Sequence, residues 1–354
     1  MILINVPDDV TPMSLHSPRL LLTPSVSLFV LLIVVFASSA WATLPVRLAL
    51  QWQPQSQFAG YYMAQKKGFY REAGLAVTLL HGDIERSSRA MLADGSADAG
   101  SLMLADAIVA AQAGAADTAA TQVSLRQLSQ LFQHSLLTLV AWKDMGIERP
   151  EDLNGRPVSL WQGSFSLAYE AFLRKHGASP VRIPQYGSVQ LFLQRGVVAA
   201  AAMEYNELNR LYLAGIDADR LTVFRMRDFG LGMPEDGLYA RADWAARHPQ
   251  AAHALSQATL RGWEYARQHP EETLDTVLEL AEKAGVVTNR AHERWMLKTV
   301  LAAIFVDGAA PDAAGRIDPD MYARAVRSLR EAGLIDAAVV PALADFQLPH
   351  GNTP

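Results

Sequence analysis

Short apolar strands alternate with amphipathic helices from residue 46 onward. Residues 46–50 and 75–80 have the pattern of strands. Between them, Phe58, Tyr61 and Tyr62 recur at helical spacing on one face. Such alternation predicts right-handed βαβ units and a mostly parallel sheet covered by helices.

A second stretch repeats this alternation, and the C-terminal part then changes character. The pattern predicts strands at 156–160, 181–184 and 221–226, and helices at 167–176, 189–194 and 204–213. From Trp244 onward the chain is nearly all helical, with prolines between the pieces. We therefore expect an α/β fold of two α/β lobes, with a ligand cleft between them and a helical C-terminal part. The expected parts are 43–142 (lobe 1, first part), 143–228 (lobe 2) and 229–354 (return to lobe 1 and C-terminal helices).

Two segments share a glycine turn, a short strand of small residues and a helix. One starts at Gly95 and the other at Gly196, and each closes at a glycine after the same number of residues. On this spacing, Asp106 in the first corresponds to Glu207 in the second, each near the start of its helix. Two similar lobes would produce this internal similarity, but two ordinary βα units can also resemble each other by chance.

The N-terminal part has the features of an export signal. Residues 20–36 are almost wholly apolar, and small residues ending in an Ala-x-Ala pattern at Ala42 follow them. This order is typical of a signal peptide over residues 1–42, with Met13 as a candidate start. The alternative is an uncleaved membrane anchor, since the apolar stretch is long enough to span a bilayer. A mature chain beginning at Thr43 would exclude that alternative.

Composition and charge exclude several classes of protein. Half of the residues are hydrophobic, as in a globular protein, and a net charge of −5 with interspersed signs gives no reason to expect nucleic-acid binding. The absence of cysteine excludes disulfides, thiolate metal sites and a cysteine nucleophile. The histidines show no metal-binding spacing, and we expect neither a metal nor a cofactor.

Aromatic and amide side chains follow the first predicted strand of each lobe. Ligands of open α/β sheets bind at the carboxyl ends of the strands, where such side chains converge. A tryptophan there can stack on a flat heteroaromatic ring, although a core position is the competing interpretation. The amides offer uncharged donors and acceptors, and a serine can cap the next helix. The candidates are Trp52, Gln53 and Gln55 in lobe 1, and Trp161, Gln162 and Ser164 in lobe 2.

Acidic residues form a second group of candidates. A carboxylate at a helix start can accept paired N–H groups from an aminopyrimidine or bind a cationic amine, but it also suits the helix dipole without any ligand. An acidic pair in a Pro/Gly-bounded loop can likewise face ligand or solvent. This group comprises Asp106, the segment Glu204, Tyr205, Asn206 and Glu207, and the pair Glu235 and Asp236. These acids disfavour a ligand rich in negative charge.

Several short motifs occur in an order that is more specific than any one of them. They are Trp52-x-Pro54, Phe58-Ala59-Gly60-Tyr61-Tyr62, Lys67-Gly68-Phe69-Tyr70, Asp152-Leu153-x-Gly155, Met203-Glu204-Tyr205-Asn206-Glu207, Pro234-Glu235-Asp236-Gly237 and Arg261-Gly262-Trp263. In this order the chain resembles the periplasmic substrate-binding proteins related to thiamine-pyrimidine synthase. The resemblance implies a type II periplasmic binding protein fold and delivery of a small molecule to an ABC transporter permease.

The same family contains an enzyme branch, a pyrimidine synthase that uses pyridoxal phosphate and its own histidine. On the resemblance, the cofactor-binding lysine of that branch falls at Leu102 and its donor histidine at Asp106, while its cysteine-rich iron motif has no counterpart near 232–236. Leucine cannot form a Schiff base. We therefore expect a binder that closes by hinge motion, without catalysis.

The expected function is the extracytoplasmic solute-binding component of an ABC importer, working as a monomer in the periplasm. A thiamine pyrimidine precursor is the first ligand that the resemblance suggests. A flavin or a sulfonate-like solute is the alternative within binding proteins. An extracytoplasmic sensor lobe is the alternative if the N-terminal segment stays as an anchor.

Overall fold

The strands form two five-stranded sheets. The computed structural model describes residues 43–110, 123–162, 166–306, 314–336 and 340–348, so the expected signal peptide lies outside the described residues. The strands are β1 Leu44–Leu50, β2 Leu75–His81, β3 Ala99–Met103, β4 Leu125–Gln130, β5 Leu137–Trp142, β6 Pro157–Leu160, β7 Val181–Pro184, β8 Ala199–Met203, β9 Leu221–Arg225 and β10 Asp236–Arg241.

Both sheets are built on the same plan. Their strand orders are β2-β1-β3-β10-β4 and β7-β6-β8-β5-β9. In each sheet one strand, β10 or β5, runs antiparallel to its two neighbours, and the other neighbouring pairs are parallel. Each antiparallel strand is the first one after the chain crosses between the sheets. The expected α/β fold is therefore confirmed, but both sheets are mixed, because the one reversed strand makes half of the neighbouring pairs in each sheet antiparallel.

Helices flank both sheets. They are α1 Ala59–Lys66, α2 Phe69–Glu72, α3 Ser88–Ala93, α4 Leu104–Ala110, α5 Leu167–Lys175, α6 Gln190–Leu193, α7 Glu207–Leu213, α8 Ala242–Arg247, α9 Pro249–Gln268, α10 Pro270–Lys283, α11 Arg290–Ile304, α12 Pro319–Glu331 and α13 Leu343–Phe346. None of the helices in the described ranges is both long and apolar enough to cross a bilayer.

Two details differ from the sequence-based expectations. Strand β5 lies before the boundary expected at residue 142, yet it pairs with β8 and β9 and so belongs to the second sheet. Helix α7 begins at Glu207 rather than Glu204. The chain first makes a turn there, because the backbone N–H of Glu204 donates to the Leu136 carbonyl instead of starting a helix.

The central strand of each sheet is rich in small side chains. Strands β3 and β8, with sequences AGSLM and AAAAM, are buried at every position. Each leads into a helix that carries one of the two equivalent acids, Asp106 in α4 and Glu207 in α7. The two similar segments thus occupy the same position in the two sheets.

Helices α1 and α9 pack at very short range through two glycines. A Cβ at Gly262 would lie 2.0 Å from the carbonyl oxygen of Gly60, and a Cβ at Gly60 would lie 2.2 Å from the ring of Trp263. The Trp263 side chain is completely buried. The two glycines therefore allow α9 to lie against the helix that follows the first strand.

The two crossing segments, 131–136 and 226–235, are tied together by hydrogen bonds. The Glu235 carboxylate accepts from Ser135 Oγ at 2.6 Å and from the backbone N–H groups of Leu136 and Leu137 at 2.7 and 2.9 Å. Burial, opposed by the bond from Ser135, raises the pKa of Glu235 to about 8. The acid thus fixes the connection between the lobes.

Substitution of Gly262 by alanine is expected to destabilise the protein. The new methyl group meets backbone of α1, so the helices must separate, and overpacking of this kind costs about 1–3 kcal/mol. Urea denaturation of Gly262→Ala measures this loss. Gln257→Ala, on the exposed face of the same helix, should change the free energy of unfolding by less than about 0.5 kcal/mol. Equal stability of the two variants would contradict the packing.

The stability of the protein is expected to fall as the pH rises through the neutral range. The folded-state pKa of Glu235 lies above its unfolded value of about 4.3, so the folded chain holds more protons between these two values. This contribution is complete below pH ~4 and is lost toward pH ~8. Urea titrations at a series of pH values should show a loss of up to about 5 kcal/mol, from about 3.7 pKa units at about 1.4 kcal/mol each, and the loss should shrink in Glu235→Gln. The same pH dependence in both proteins would refute this role.

Candidate functional site

A cavity of about 380 Å³ lies between the lobes, where strands β1, β6, β7 and β8 end. The carboxyl ends of parallel strands lie at one edge of their sheet. Here that edge of each sheet faces the cavity, so side chains from both lobes converge on it. The lining residues are Gln51, Trp52, Gln53, Gln55, Gln57, Ile84, Trp161, Gly187, Met203, Tyr205, Asn206, Glu207, Arg210, Gly285, Val286 and Val287.

The wall contributed by lobe 1 is a run of glutamines after β1. Gln55 Nε2 donates to Gln57 Oε1 at 2.6 Å, and Gln57 Nε2 donates to Asp236 Oδ2 at 2.7 Å. Gln51 Nε2 donates to the other oxygen of Asp236 at 2.6 Å, and its backbone N–H donates to Ser101 Oγ. One buried carboxylate thus holds the amides of this wall in fixed orientations.

The orientation of these amides leaves acceptors for a ligand. All three of Gln51, Gln55 and Gln57 use Nε2 as a donor within the wall. Within the described part of the chain, the Oε1 atoms of Gln51 and Gln55 accept no hydrogen bond, and both residues line the cavity. The lobe 1 wall can therefore receive N–H groups without adding charge.

The wall contributed by lobe 2 combines aromatic rings with a short polar cluster. Trp161 follows β6 and packs edge-on against Tyr169, with ring centroids 5.9 Å apart. A Cβ at Gly187 would lie 3.6 Å from ring atom Cζ2 of Trp52. The Trp52 ring of lobe 1 therefore lies close to the backbone of lobe 2, and both tryptophans line the same cavity.

Glu207 and Arg210 are the two charged residues that line the cavity among the described residues. Glu207 accepts from the backbone N–H of Met203 at 2.9 Å and from Asn206 Nδ2 at 3.0 Å. Burial raises the pKa of its carboxyl, and the hydrogen bond from Met203 opposes this shift. Arg210 Nε donates to Asn206 Oδ1 at 2.9 Å. One acid and one base leave the cavity close to neutral.

More than half of the candidate residues from the sequence come together here. Those that line the cavity are Trp52, Gln53, Gln55, Trp161, Tyr205, Asn206 and Glu207. Gln162 is exposed outside the cavity lining, and Ser164 lies outside the described residues. For all of these candidates, a role in ligand binding remains a prediction.

The structure places four of the expected acidic residues away from the cavity lining. Asp106 forms a buried ion pair with Arg89 at 3.0 Å inside lobe 1. Glu204 pairs with Arg225 at the end of β9 and with Arg227 in the second crossing segment, each at 2.9 Å. Glu235 holds the crossing itself, and Asp236 acts through the glutamines that it orients. Each of these four carboxyl groups has a structural partner inside the protein, although sequence patterns assigned all four to a ligand.

Several lining residues are not among the candidates that the sequence predicted. Gln57 continues the alternate-residue glutamines that start at Gln51, and Arg210 follows Glu207 by one helical turn, so both had a local signal. Ile84 and residues 285–287 lie in loops distant along the chain and had none. In the described ranges, no group of three His, Cys, Asp or Glu side chains could hold a metal ion.

One curated relative covers most of the chain. A riboflavin-binding protein, RibY, from Chloroflexus aurantiacus is 24% identical over 307 residues, which make up 83% of this chain and 82% of the relative.

Solved structures with the same fold also cover most of the chain. A protein from Bordetella bronchiseptica RB50 superposes with a TM-score of 0.65 at 19% identity, covering 87% of this chain and 96% of its own. The alkanesulfonate-binding protein SsuA from Xanthomonas axonopodis pv. citri, bound to MOPS, gives 0.60 at 16% identity, covering 86% and 97%. The periplasmic nitrate-binding protein NrtA from Synechocystis PCC 6803 gives 0.60 at 15% identity, covering 84% and 83%. The expected periplasmic binding protein fold is confirmed.

The model of the NMT1/THI5-like family matches residues 55–273, a stretch that contains the glutamine wall from Gln55, both crossing segments and all of lobe 2. This agrees with the resemblance seen in the sequence motifs. Because the match extends over more than half of this chain, the chain belongs to the NMT1/THI5-like family.

Proposed function

We propose that the protein is the extracytoplasmic solute-binding component of an ABC importer, and that its ligand is an uncharged planar heteroaromatic compound. Riboflavin is the first candidate. The observation that carries the proposal is the convergence of two tryptophans, Trp52 from lobe 1 and Trp161 from lobe 2, on one cavity with an edge of glutamine amides.

Stacking accounts for the tryptophans. An aromatic side chain presents a flat apolar face that suits a planar ring, and base–aromatic stacking contributes about 1–3 kcal/mol per ring by alanine substitution. Both Trp52 and Trp161 are partly buried before any ligand enters, so little conformational freedom is lost on binding.

Hydrogen bonding accounts for the amides. Carbonyl oxygens of Gln51 and Gln55 can accept from ring N–H groups. Asn206 and Glu207 lie on the opposite wall, where a second polar edge of a ligand would meet them. A heteroaromatic compound with hydrogen-bonding groups around its ring can form hydrogen bonds with the polar side chains of both walls.

Size favours a ligand larger than a single ring. A volume of about 380 Å³ lies within the range of roughly 300–1,000 Å³ that drug-sized ligands occupy. The relative from Chloroflexus aurantiacus is described as binding riboflavin, a compound with a three-ring planar system. A thiamine pyrimidine precursor is a second candidate, because the Glu207 carboxylate can accept from an aminopyrimidine as the sequence suggested.

Charge disfavours a sulfonate ligand. Anion sites gather several cationic or backbone donors, whereas Arg210 is the one cation in the described lining and donates Nε to Asn206. The alkanesulfonate-binding neighbour is similar in fold, at 16% identity. Catalysis is not part of the proposal, because Leu102 lies in the core strand β3, where the enzyme branch would place its lysine.

Removal of either stacking ring is expected to weaken riboflavin binding. Trp52→Ala and Trp161→Ala should each raise the Kd about 5- to 150-fold, since each removes about 1–3 kcal/mol of stacking. Trp52→Phe keeps an aromatic face and should lose less than Trp52→Ala. Quenching of flavin fluorescence on titration measures the Kd.

Thermal melting without ligand serves as the control for folding of these variants. A Kd for Trp52→Ala within twofold of the unaltered protein would contradict the stacking role. Equal losses in the Phe and Ala variants would show that the ring face is not what binds.

A further inference from the structure

Two consecutive residues at the start of helix α11 reach opposite walls of the cleft. His292 contacts lobe 2 and Glu293 contacts lobe 1. Both side chains are buried, with 2% and 1% of their surface exposed. The first turn of α11 therefore lies at the point where the two walls meet.

Glu293 holds the glutamine wall. Its Oε2 accepts from the backbone N–H of Ser56 at 2.8 Å, and its Oε1 accepts from Thr288 Oγ1 at 2.7 Å. Ser56 stands between Gln55 and Gln57 in the sequence. This contact fixes the backbone of the segment whose amides face the cavity.

His292 holds the polar cluster of lobe 2 through two directional bonds. Its Nδ1 lies 2.9 Å from Asn209 Nδ2, and its Nε2 lies 3.1 Å from Asn206 Oδ1. An amide nitrogen can only donate, so Nδ1 accepts and Nε2 carries the proton. Burial, reinforced by nearby Arg210, lowers the pKa of His292 to about 4, which agrees with this neutral form.

Asn206 connects His292 to the two charged residues of the cavity by hydrogen bonds. Its Oδ1 accepts from both His292 Nε2 and Arg210 Nε, and its Nδ2 donates to Glu207 Oε1. Reversal of the Asn206 amide would place a donor against both His292 and Arg210. Three partners therefore fix the orientation of Asn206, and His292 is the one among them that lies outside lobe 2.

We propose that His292 and Glu293 form an interlobe clasp that sets the separation of the two cleft walls and orients Asn206 toward the ligand. Trp295, one turn later on the same helix, adds a bond from Nε1 to the Glu204 carbonyl at 3.1 Å. Neither clasp residue lines the cavity, so both are positioning residues that act through Ser56 and Asn206. The effect on affinity rests on the proposed function, whereas the effect on wall separation does not.

Two substitutions of His292 separate hydrogen bonding from packing. His292→Gln keeps one acceptor for Asn209 and one donor for Asn206. His292→Met fills a similar volume but offers no donor. Lys298→Ala, on the exposed face of the same helix, is the matched control.

The first readout needs no ligand. The chain contains no cysteine, so a pair introduced as Glu85→Cys in lobe 1 and Glu148→Cys in lobe 2 carries spin labels at those positions alone. Electron paramagnetic resonance of the labelled protein gives the distribution of interlobe distances. We expect this distribution to broaden or shift in His292→Met and to stay unchanged in His292→Gln and Lys298→Ala. An unchanged distribution in His292→Met would overturn the clasp.

The second readout is the riboflavin Kd. It should rise about tenfold in His292→Met and stay within about threefold in His292→Gln, because two neutral hydrogen bonds are lost in the first and replaced in the second. Equal losses in both variants would overturn the orienting role of the donor. Absence of riboflavin binding in the unaltered protein, together with a changed distance distribution in His292→Met, would reject riboflavin as the ligand and leave the clasp standing.

Discussion

The arrangement of the cleft depends on one buried carboxylate. Asp236 begins the strand that returns the chain to lobe 1, and its two oxygens accept from Gln51 and Gln57. Burial raises its pKa to about 7, and the two amide donors oppose this shift. Because neighbouring Glu235 fixes the crossing, the interlobe connection and the glutamine wall are anchored at adjacent residues. A movement of the lobes therefore acts directly on the binding wall.

Other polar side chains of the cleft are also held in one orientation by hydrogen bonds within the protein. A binding site works well when its donors and acceptors are held in place before the ligand arrives, since less freedom is then lost on binding. Here one acid orients the lobe 1 amides, and a neutral histidine orients the amide of Asn206. Asp236 thus serves the site by positioning other side chains, without lining the cavity itself.

The sequence predicted the fold and much of the cleft because both leave local signals. Alternation of strands and helices identified the lobes, and the mixture of Trp52 with glutamines after β1 marked the lobe 1 wall. Partner choice has no such signal: nothing near Asp106 in the sequence shows that Arg89 pairs with it. The clasp of His292 was equally hidden, because Asn206 lies far from it along the chain and only folding brings them together.

The central claim is that the cleft binds an uncharged heteroaromatic ring and not an anion. Isothermal titration of the same protein preparation with riboflavin and with an alkanesulfonate tests this claim most directly. We expect saturable one-to-one binding of riboflavin at micromolar Kd or below, about −8 kcal/mol or stronger, with no heat from the sulfonate. Tight binding of the sulfonate and none of riboflavin would contradict it.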